Sequence, residues 1–500
     1  MGLYTSITRS WLEARFRKRS EHGVYLAHMP IYGAAASDSE HNHIGRLARA
    51  LRILRQLDAL DYETLLDVGG AEGYLPHLAR TIHGAEVVTT DLSHQACLRA
   101  NELFGLRSAA VDCHRLPFGD DAFDVVVCSE VIEHVEHPVE TMLELQRVAR
   151  VAVILTTEEV HYDRRWIDDY LFRRPGWPHM ERNLFHPDDL RTCFPNARLE
   201  PQCDERPPEA TDAEAVRDWL RAHTRATELA SGRIGVVVTD VRDATRARAR
   251  RHDDDTLLAR LLATTVVKGT TAPNPAALDE LLPLLRDPDA RTPLWVVDDK
   301  LVSPDGQHHP IRDGVPDFVQ LARPAPSRVE LADFLRRACP DRAAAMLALR
   351  DRLYLPDRWP NDHFDLRDAE QRRGFWPNEQ LRPRAAGPGS GFAWQAIGPD
   401  PWVVTPCLQR PLRAVEIEMR VHAPDNPATK GTGQVFWKGP NDDTFVEQHS
   451  VKFDVPNDGQ VHTFRVGLSD HPLLPDEVQW LRLDLIDGEC ELDFLSLRLV

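Results

Sequence analysis

Three carboxylates near the start of the chain close apolar runs: Asp67 after Leu65-Leu66, Asp91 after Val87-Val88-Thr89-Thr90, and Asp112 after Val111. An acid that ends a buried strand stands where the sheet stops and a ligand site opens. Asp67 is followed by Val68-Gly69-Gly70-Ala71-Glu72-Gly73. Glycines at such a turn let the backbone pass close to a ligand with no Cβ in the way. A dinucleotide-binding turn needs G-x-G-x-x-G, and Val68 occupies the first of those positions. A carboxylate two residues before the first glycine suits a cationic ligand better than a pyrophosphate. Asp91 lies about where a doubly wound fold places the acid that grips ribose hydroxyls.

A second set follows the apolar run Phe123–Ser129: Glu130, Glu133 and His134, at i, i+3 and i+4. On a helical turn these point to one side. A neutral histidine with two carboxylates can act as a general base or bind a divalent cation. A plain helix start is the third role open to them.

The elements that must position these groups follow from the pattern. Strands are expected to end at Asp67, Asp91, Asp112 and Ser129, a helix over 138–150, a fifth strand over 151–156 and a late strand over 235–239. With Leu116-Pro117-Phe118 after the third acid, this order resembles the class I S-adenosylmethionine-dependent methyltransferases over about residues 37–240. Their motif I is D-x-G-x-G-x-G, and Ala71 departs from it at the middle glycine. The resemblance implies an α/β Rossmann-like fold. It also implies S-adenosylmethionine held by Asp67, Gly69, Gly70, Gly73, Asp91, Leu92, Asp112, Cys113 and Ser129, with Asp112 facing the adenine amino group. The E-x-x-E-H spacing is similar to that of quinone-biosynthesis O-methyltransferases, in which it serves magnesium. E-H-V also follows the fourth strand in methyltransferases that need no metal. His134 and Glu130 are the expected catalytic pair, and Glu130, Glu133 and His134 the candidate ligands of Mg2+.

Five hundred residues suggest about three domains, and 42% apolar residues suffice for proper cores. A net charge of −18, from 60 basic and 78 acidic residues, argues against a nucleic-acid partner. No stretch approaches the roughly 20 apolar residues of a membrane span, and the N-terminus does not read as a secretory signal. Eight cysteines without a C-x-x-C read as reduced thiols of a cytoplasmic protein.

Residues 1–245 are expected to hold the catalytic domain behind an N-terminal helical cap, with Ser37-Asp38-Ser39 capping a helix that carries Ile44, Leu47, Leu51 and Leu54. His41 and His43 at its start read as solvent-facing before they read as active-site groups. His161, Tyr162, Trp166, Tyr170, Phe172, Trp177, His179 and His186 form an aromatic stretch that supplies either the acceptor pocket or the packing of a lid. Residues 246–275 read as a linker. Residues 276–322 resemble the small zinc-ribbon-like module that activates methyltransferases, with Asp287, Ala290, Ser303 and Gly306 where cysteine knuckles would stand, so a thiolate site cannot form. Residues 323–389 read as a helical and irregular connector ending in a glycine-proline linker. Alternation in 390–500 predicts an antiparallel β-sandwich. It resembles a jelly-roll found beside surface-polysaccharide enzymes, and Trp437 is open to either sugar stacking or the core.

The function expected is O-methylation of a sugar, glycan or glycosylated molecule. The alternatives are a small-molecule O-methyltransferase of quinone or secondary metabolism and a non-catalytic scaffold. The partners expected are the acceptor and further copies of the chain.

Overall fold

The structure, a computed structural model, describes residues 3–500 except 35–37, 40–42, 178, 202–212, 224–232, 320–326, 356–360, 386, 388, 424–430, 440, 441 and 443. Two compact units account for them: residues 1–167 with 178–354, and residues 168–177 with 355–500.

The first unit opens with α1 (Leu3–Arg17) and α2 (Ile44–Asp58). Then follow β1 (Thr64–Val68), α3 (Tyr74–His83), β2 (Glu86–Asp91), α4 (His94–Phe104), β3 (Arg107–Ala110), β4 (Phe123–Ser129), α5 (Pro138–Val148) and β5 (Ala149–His161). Helix α6 (Arg164–Arg173) begins in this unit and continues into the second, and α7 (Pro187–Cys193), β6 (Arg198–Pro201), α8 (Ala213–His223), β7 (Arg233–Val241) and α9 (Asp254–Ala263) follow in the first. The sheet runs β3-β2-β1-β4-β5-β7-β6, parallel through β5, with β7 antiparallel to its neighbours. This is a Rossmann-like arrangement. β4 is buried up to its last residue, as befits a central parallel strand with helices on both faces of the sheet. Ser93 starts α4 by accepting the Ala96 N–H, an N-cap that also fixes the chain just after Asp91.

The cap differs from expectation. Helix α1 occupies residues for which no element was expected, and Arg99 ties the loop after it to α4 through the carbonyls of Lys18 and Leu26. Helix α2 begins with His43 at its N-cap, and His43 is fully buried, because Ile44, Leu47 and Leu51 beside it enter the main core. His41 and Ser37 lie outside the described residues. The 246–275 stretch is not a mere linker. Asp253 caps α9, whose Leu257, Leu258 and Leu261 join the same core.

A short helix α10 (Ala277–Leu281) leads into an antiparallel sheet of β8 (Trp295–Val297), β9 (Lys300–Val302), β10 (His308–Arg312) and β11 (Val315–Pro316). At the first knuckle position, Asp287 accepts the N–H groups of Asp289 and Ala290, and its other oxygen lies 3.1 Å from Nε2 of buried His309. Ser303 closes the second turn by accepting the Gln307 N–H. Side chain-to-backbone bonds therefore fasten these turns. The sheet is docked on the catalytic domain: Phe318 N–H donates to Ala110 O at the edge of β3, and Arg9 of α1 pairs with Asp317 at 2.6 Å. Helices α11 (Arg328–Ala338) and α12 (Ala343–Leu353) complete this unit, Arg350 meeting Glu140 of α5 at 3.0 Å.

The second unit holds β12 (His363–Asp365), β13 (Trp376–Pro377), β14 (Leu381–Pro383), β15 (Phe392–Ala396), β16 (Trp402–Val404), β17 (Ala414–His422), β18 (Gly431–Lys438), β19 (Ser450–Val455), β20 (Val461–Gly467), β21 (Trp480–Asp484) and β22 (Cys490–Leu499). They form two antiparallel sheets around one apolar core. The alternation read over 415–421 holds: Val415, Ile417, Met419 and Val421 are buried in turn. The expected connector is divided. Residues 363–383 already supply β12 to β14, and β14 pairs antiparallel with β15, so the strands on either side of the expected linker belong to one sheet. Trp437 is fully buried, so it belongs to the core and offers no sugar platform.

Candidate active site

Strands β1, β2 and β4 stop at one level, and a cavity of about 560 Å3 opens there. Asp67, Gly69, Gly70, Asp91, Leu92, Asp112, Cys113 and Ser129 line it, as do Glu130, Glu133 and His134. Gly73 does not. It adopts φ 81° as the N-cap of α3, and a Cβ there would stand 2.6 Å from Leu106 Cδ1 and 2.9 Å from Ala100 Cβ. Its glycine is required by helix packing, not by a ligand. Gly69 and Gly70 are also crowded from the protein side, by Val131 and by Thr89 with Asp67. Ala71 accepts the left-handed φ of 49° at the family's glycine position, and its N–H donates to Asp91 Oδ2 at 3.0 Å.

The acids of this half are held in contrasting states. Asp67 is 2% exposed, its Oδ2 lacks a partner, and burial together with repulsion from Asp91 pushes it up to about 8. Asp91 also accepts Ser93 N–H at 2.9 Å, yet burial still raises it to about 6. Two carboxyls desolvated side by side cannot both ionise cheaply. A sulfonium or ammonium would relieve that repulsion, so the pair fits the positively charged S-adenosylmethionine. Asp112 is only half-buried, and His114 offsets its desolvation by charge and hydrogen bonding and holds it at about 2. Burial pushes the Cys113 thiol up to about 12, which leaves it protonated and poorly nucleophilic.

The other half is built from the turn between β4 and α5. It is not the helical turn expected: His134 N–H closes on Val131 O, and α5 starts only at Pro138. Asn183 fastens this turn by donating to Ile132 O at 3.0 Å and Val135 O at 2.7 Å. Glu130 takes φ 54°, accepts the Thr156 hydroxyl at 2.7 Å and lies 3.2 Å from Arg49 Nε. Glu133 is 2% exposed with Oε2 unpartnered, and burial followed by repulsion from Glu130 raises it well above an ordinary carboxyl. Among the described residues, Glu130, Glu133 and His134 do not bring three ligand atoms within 4.8 Å of one another. With Arg49 already on Glu130 and the three ligand atoms not gathered at one point, the set as arranged does not fit Mg2+, and that expectation is corrected.

His134 Nδ1 lies 2.9 Å from Met180 O. A carbonyl only accepts, so Nδ1 carries the hydrogen and the neutral ring keeps its lone pair on Nε2. Burial lowers its affinity for a proton. The ring stacks at 4.1 Å on His179, which stacks at 4.9 Å on Trp11 of α1. Tyr4, Thr5 and Thr8 of the same helix line the cavity, and Arg182 sits 3.9 Å above the Tyr4 ring.

Of the aromatic stretch, only His179 reaches the cavity. His161 stacks on Trp166, and His186 caps α7. Tyr170 and Phe172 pack within the second unit, on Trp376 and beside Gly374. Sequence reasoning missed the α1 residues, Arg49, Glu72 and Asn183. Glu72 is fully buried and accepts His28 and Met29 N–H, which anchors the loop along the cavity. Its place inside the glycine turn was the one signal available.

Residues 66–155 match the family described as a methyltransferase domain. Similar solved structures include a chain of the complex between the Haloferax volcanii Trm112 methyltransferase activator and a methyltransferase, 17% identical over 41% of this chain and 99% of that one, TM-score 0.28. Geranyl diphosphate C-methyltransferase from Streptomyces coelicolor A3(2), solved with Mg2+, geranyl diphosphate and S-adenosyl-L-homocysteine, is 18% identical over 48% and 99%, TM-score 0.32. Phosphoethanolamine N-methyltransferase 2 of Haemonchus contortus, with S-adenosyl-L-methionine, is 15% identical over 39% and 52%, TM-score 0.28. No curated protein matches the chain. No helix among the described residues is long and apolar enough to cross a membrane. By the family match, residues 66–155 lie in a methyltransferase domain, and the chain is a methyltransferase.

Proposed function

We propose that the enzyme methylates a hydroxyl group of a sugar, glycan or glycosylated molecule, with His134 as general base. The observation that carries this is the Nδ1–H bond from His134 to Met180 O, which leaves Nε2 of a half-buried, neutral imidazole as the basic atom of a residue that lines the cavity. S-adenosylmethionine supplies a methyl group made electrophilic by its sulfonium. Asp67, Asp91 and Asp112 are the groups to hold it, the first two by charge and the third beside the base-binding end. Helix α1 covers the cavity with Tyr4, Thr5 and Thr8 and limits the water that reaches it. His134 accepts the acceptor hydroxyl's proton at Nε2, and the nearby charges of Glu181 and Glu158 favour the resulting imidazolium. Displacement in line then depends on holding hydroxyl and methyl in contact.

The saccharide part of this reading rests on the jelly-roll resemblance of residues 390–500. The test is transfer of labelled methyl from S-adenosylmethionine into fractionated glycans, glycolipids and small phenols, with and without EDTA. Label on a saccharide oxygen, insensitive to EDTA, is expected. Label on nitrogen or carbon overturns the hydroxyl acceptor, and label confined to small phenols overturns the saccharide.

A further inference from the structure

Three side chains meet away from the cavity, where α2 and α3 end and the chain approaches α9. Asp58 is the last residue of α2, His83 the last of α3, and His252 precedes the α9 cap. None of them lines the cavity. We propose that Asp58, His83 and His252 form a site for a divalent transition metal of the zinc type.

The spacing comes first. His252 Nδ1 lies 2.7 Å and His83 Nε2 3.4 Å from Asp58 Oδ1, and the three atoms all fall within 4.8 Å of one another. A tetrahedral zinc ion with bonds of about 2.0–2.1 Å holds its ligand atoms on the order of 3.4 Å apart. Small side-chain adjustments therefore convert this cluster into three corners of a tetrahedron, with water for the fourth. Two imidazoles and one carboxylate are ligands that zinc accepts.

The second observation is an orphan. The His83 side chain is 2% exposed, and its Nε2 has no hydrogen-bond partner. Buried polar atoms are nearly always satisfied, so one left over beside two other donor atoms points to a ligand. The surroundings are arranged as a metal site requires. Tyr62 Oη lies 2.7 Å from His83 Nδ1, so the phenol oxygen can accept Nδ1–H and turn the Nε2 lone pair inward. Asp58 Oδ2 accepts the His252 backbone N–H at 2.7 Å, while Oδ1 is hydrogen-bonded to His252 Nδ1, a bond that an ion between the two atoms would replace. The neighbouring cations Arg246, Arg248 and Arg251 all approach Asp61, whose charge offsets part of theirs, at 3.4, 3.3 and 3.9 Å. A metal here ties α2, α3 and the approach to α9 together.

The test uses the untagged full chain, stripped with a chelator and titrated with zinc chloride by calorimetry. One zinc per chain and a raised melting temperature are expected. His83→Gln and His252→Gln should each weaken binding by at least about 100-fold, and Tyr62→Phe by about 10- to 100-fold through its orienting bond. Cobalt(II) added to the unmutated protein provides a readout that needs no variant, with the visible bands of four-coordinate cobalt expected. The proposal is overturned if no stoichiometric zinc binds, if the cobalt spectrum stays six-coordinate, or if binding survives His83→Gln. It is also overturned if the zinc is lost on Cys113→Ser, which would place it among Asp112, Cys113 and His114 in the cavity.

Discussion

The two halves of the cavity are built by different means. On the proposed cofactor side, Asp67 and Asp91 lie at the ends of β1 and β2 and Asp112 just beyond β3, and neighbouring backbone N–H groups bond Asp91 and Asp112. On the acceptor side no element is enough by itself. His134 is oriented by Met180 and His179, its turn by Asn183, and Glu130 by Arg49 from α2 and Thr156 from β5. A site made from strand ends comes with the sheet. One made from a turn needs partners from across the domain.

Substitutions should separate the halves. The largest effect is expected for His134→Ala, with turnover falling by about 10²–10⁴-fold while calorimetry shows cofactor affinity unchanged. Activity at the parent rate would remove the base from His134. The reverse pattern is expected for Asp91→Ala. S-adenosylmethionine should bind about 10- to 100-fold more weakly, a loss of about 1.5–3 kcal/mol for a charged acceptor. Unchanged affinity would mean that Asp91 serves only the Ala71 and Ser93 N–H groups.

Gly73→Ala tests the packing role. Left-handed backbone and the crowding by Leu106 and Ala100 should cost about 1–3 kcal/mol of stability in denaturant titration. Little loss would return Gly73 to the ligand side.

The smallest effect is a slope. Asp67 titrates near 3.9 unfolded and at about 8 folded. Between those values the native state holds the extra proton, so the ligand-free protein should lose stability as pH rises toward 8, by at most about 1.4 kcal/mol per unit. Asp67→Asn should flatten that slope between pH 6 and 8, and cofactor affinity should rise over the same range in the parent protein. An identical slope in the variant would assign the effect to another group.

Local pattern determined much of this molecule. Period-two alternation placed β17, continuous apolar runs placed β1, β2 and β4, and the glycine turn placed three strand-end acids around one cavity, because each signal is carried by neighbours along the chain. The same local signals misread α9, β12 to β14 and the one-sided Glu130–Glu133–His134 turn. A polar run says nothing of which leucines find a core, and spacing says nothing of whether a turn continues into a helix. Only the tertiary structure decided that α1 covers the cavity, that His179 and Trp11 brace His134, and that Asp58, His83 and His252 meet. These contacts join residues more than 20 positions apart, and a protein interior selects them by packing and by satisfying buried polar atoms, which no short stretch of sequence records.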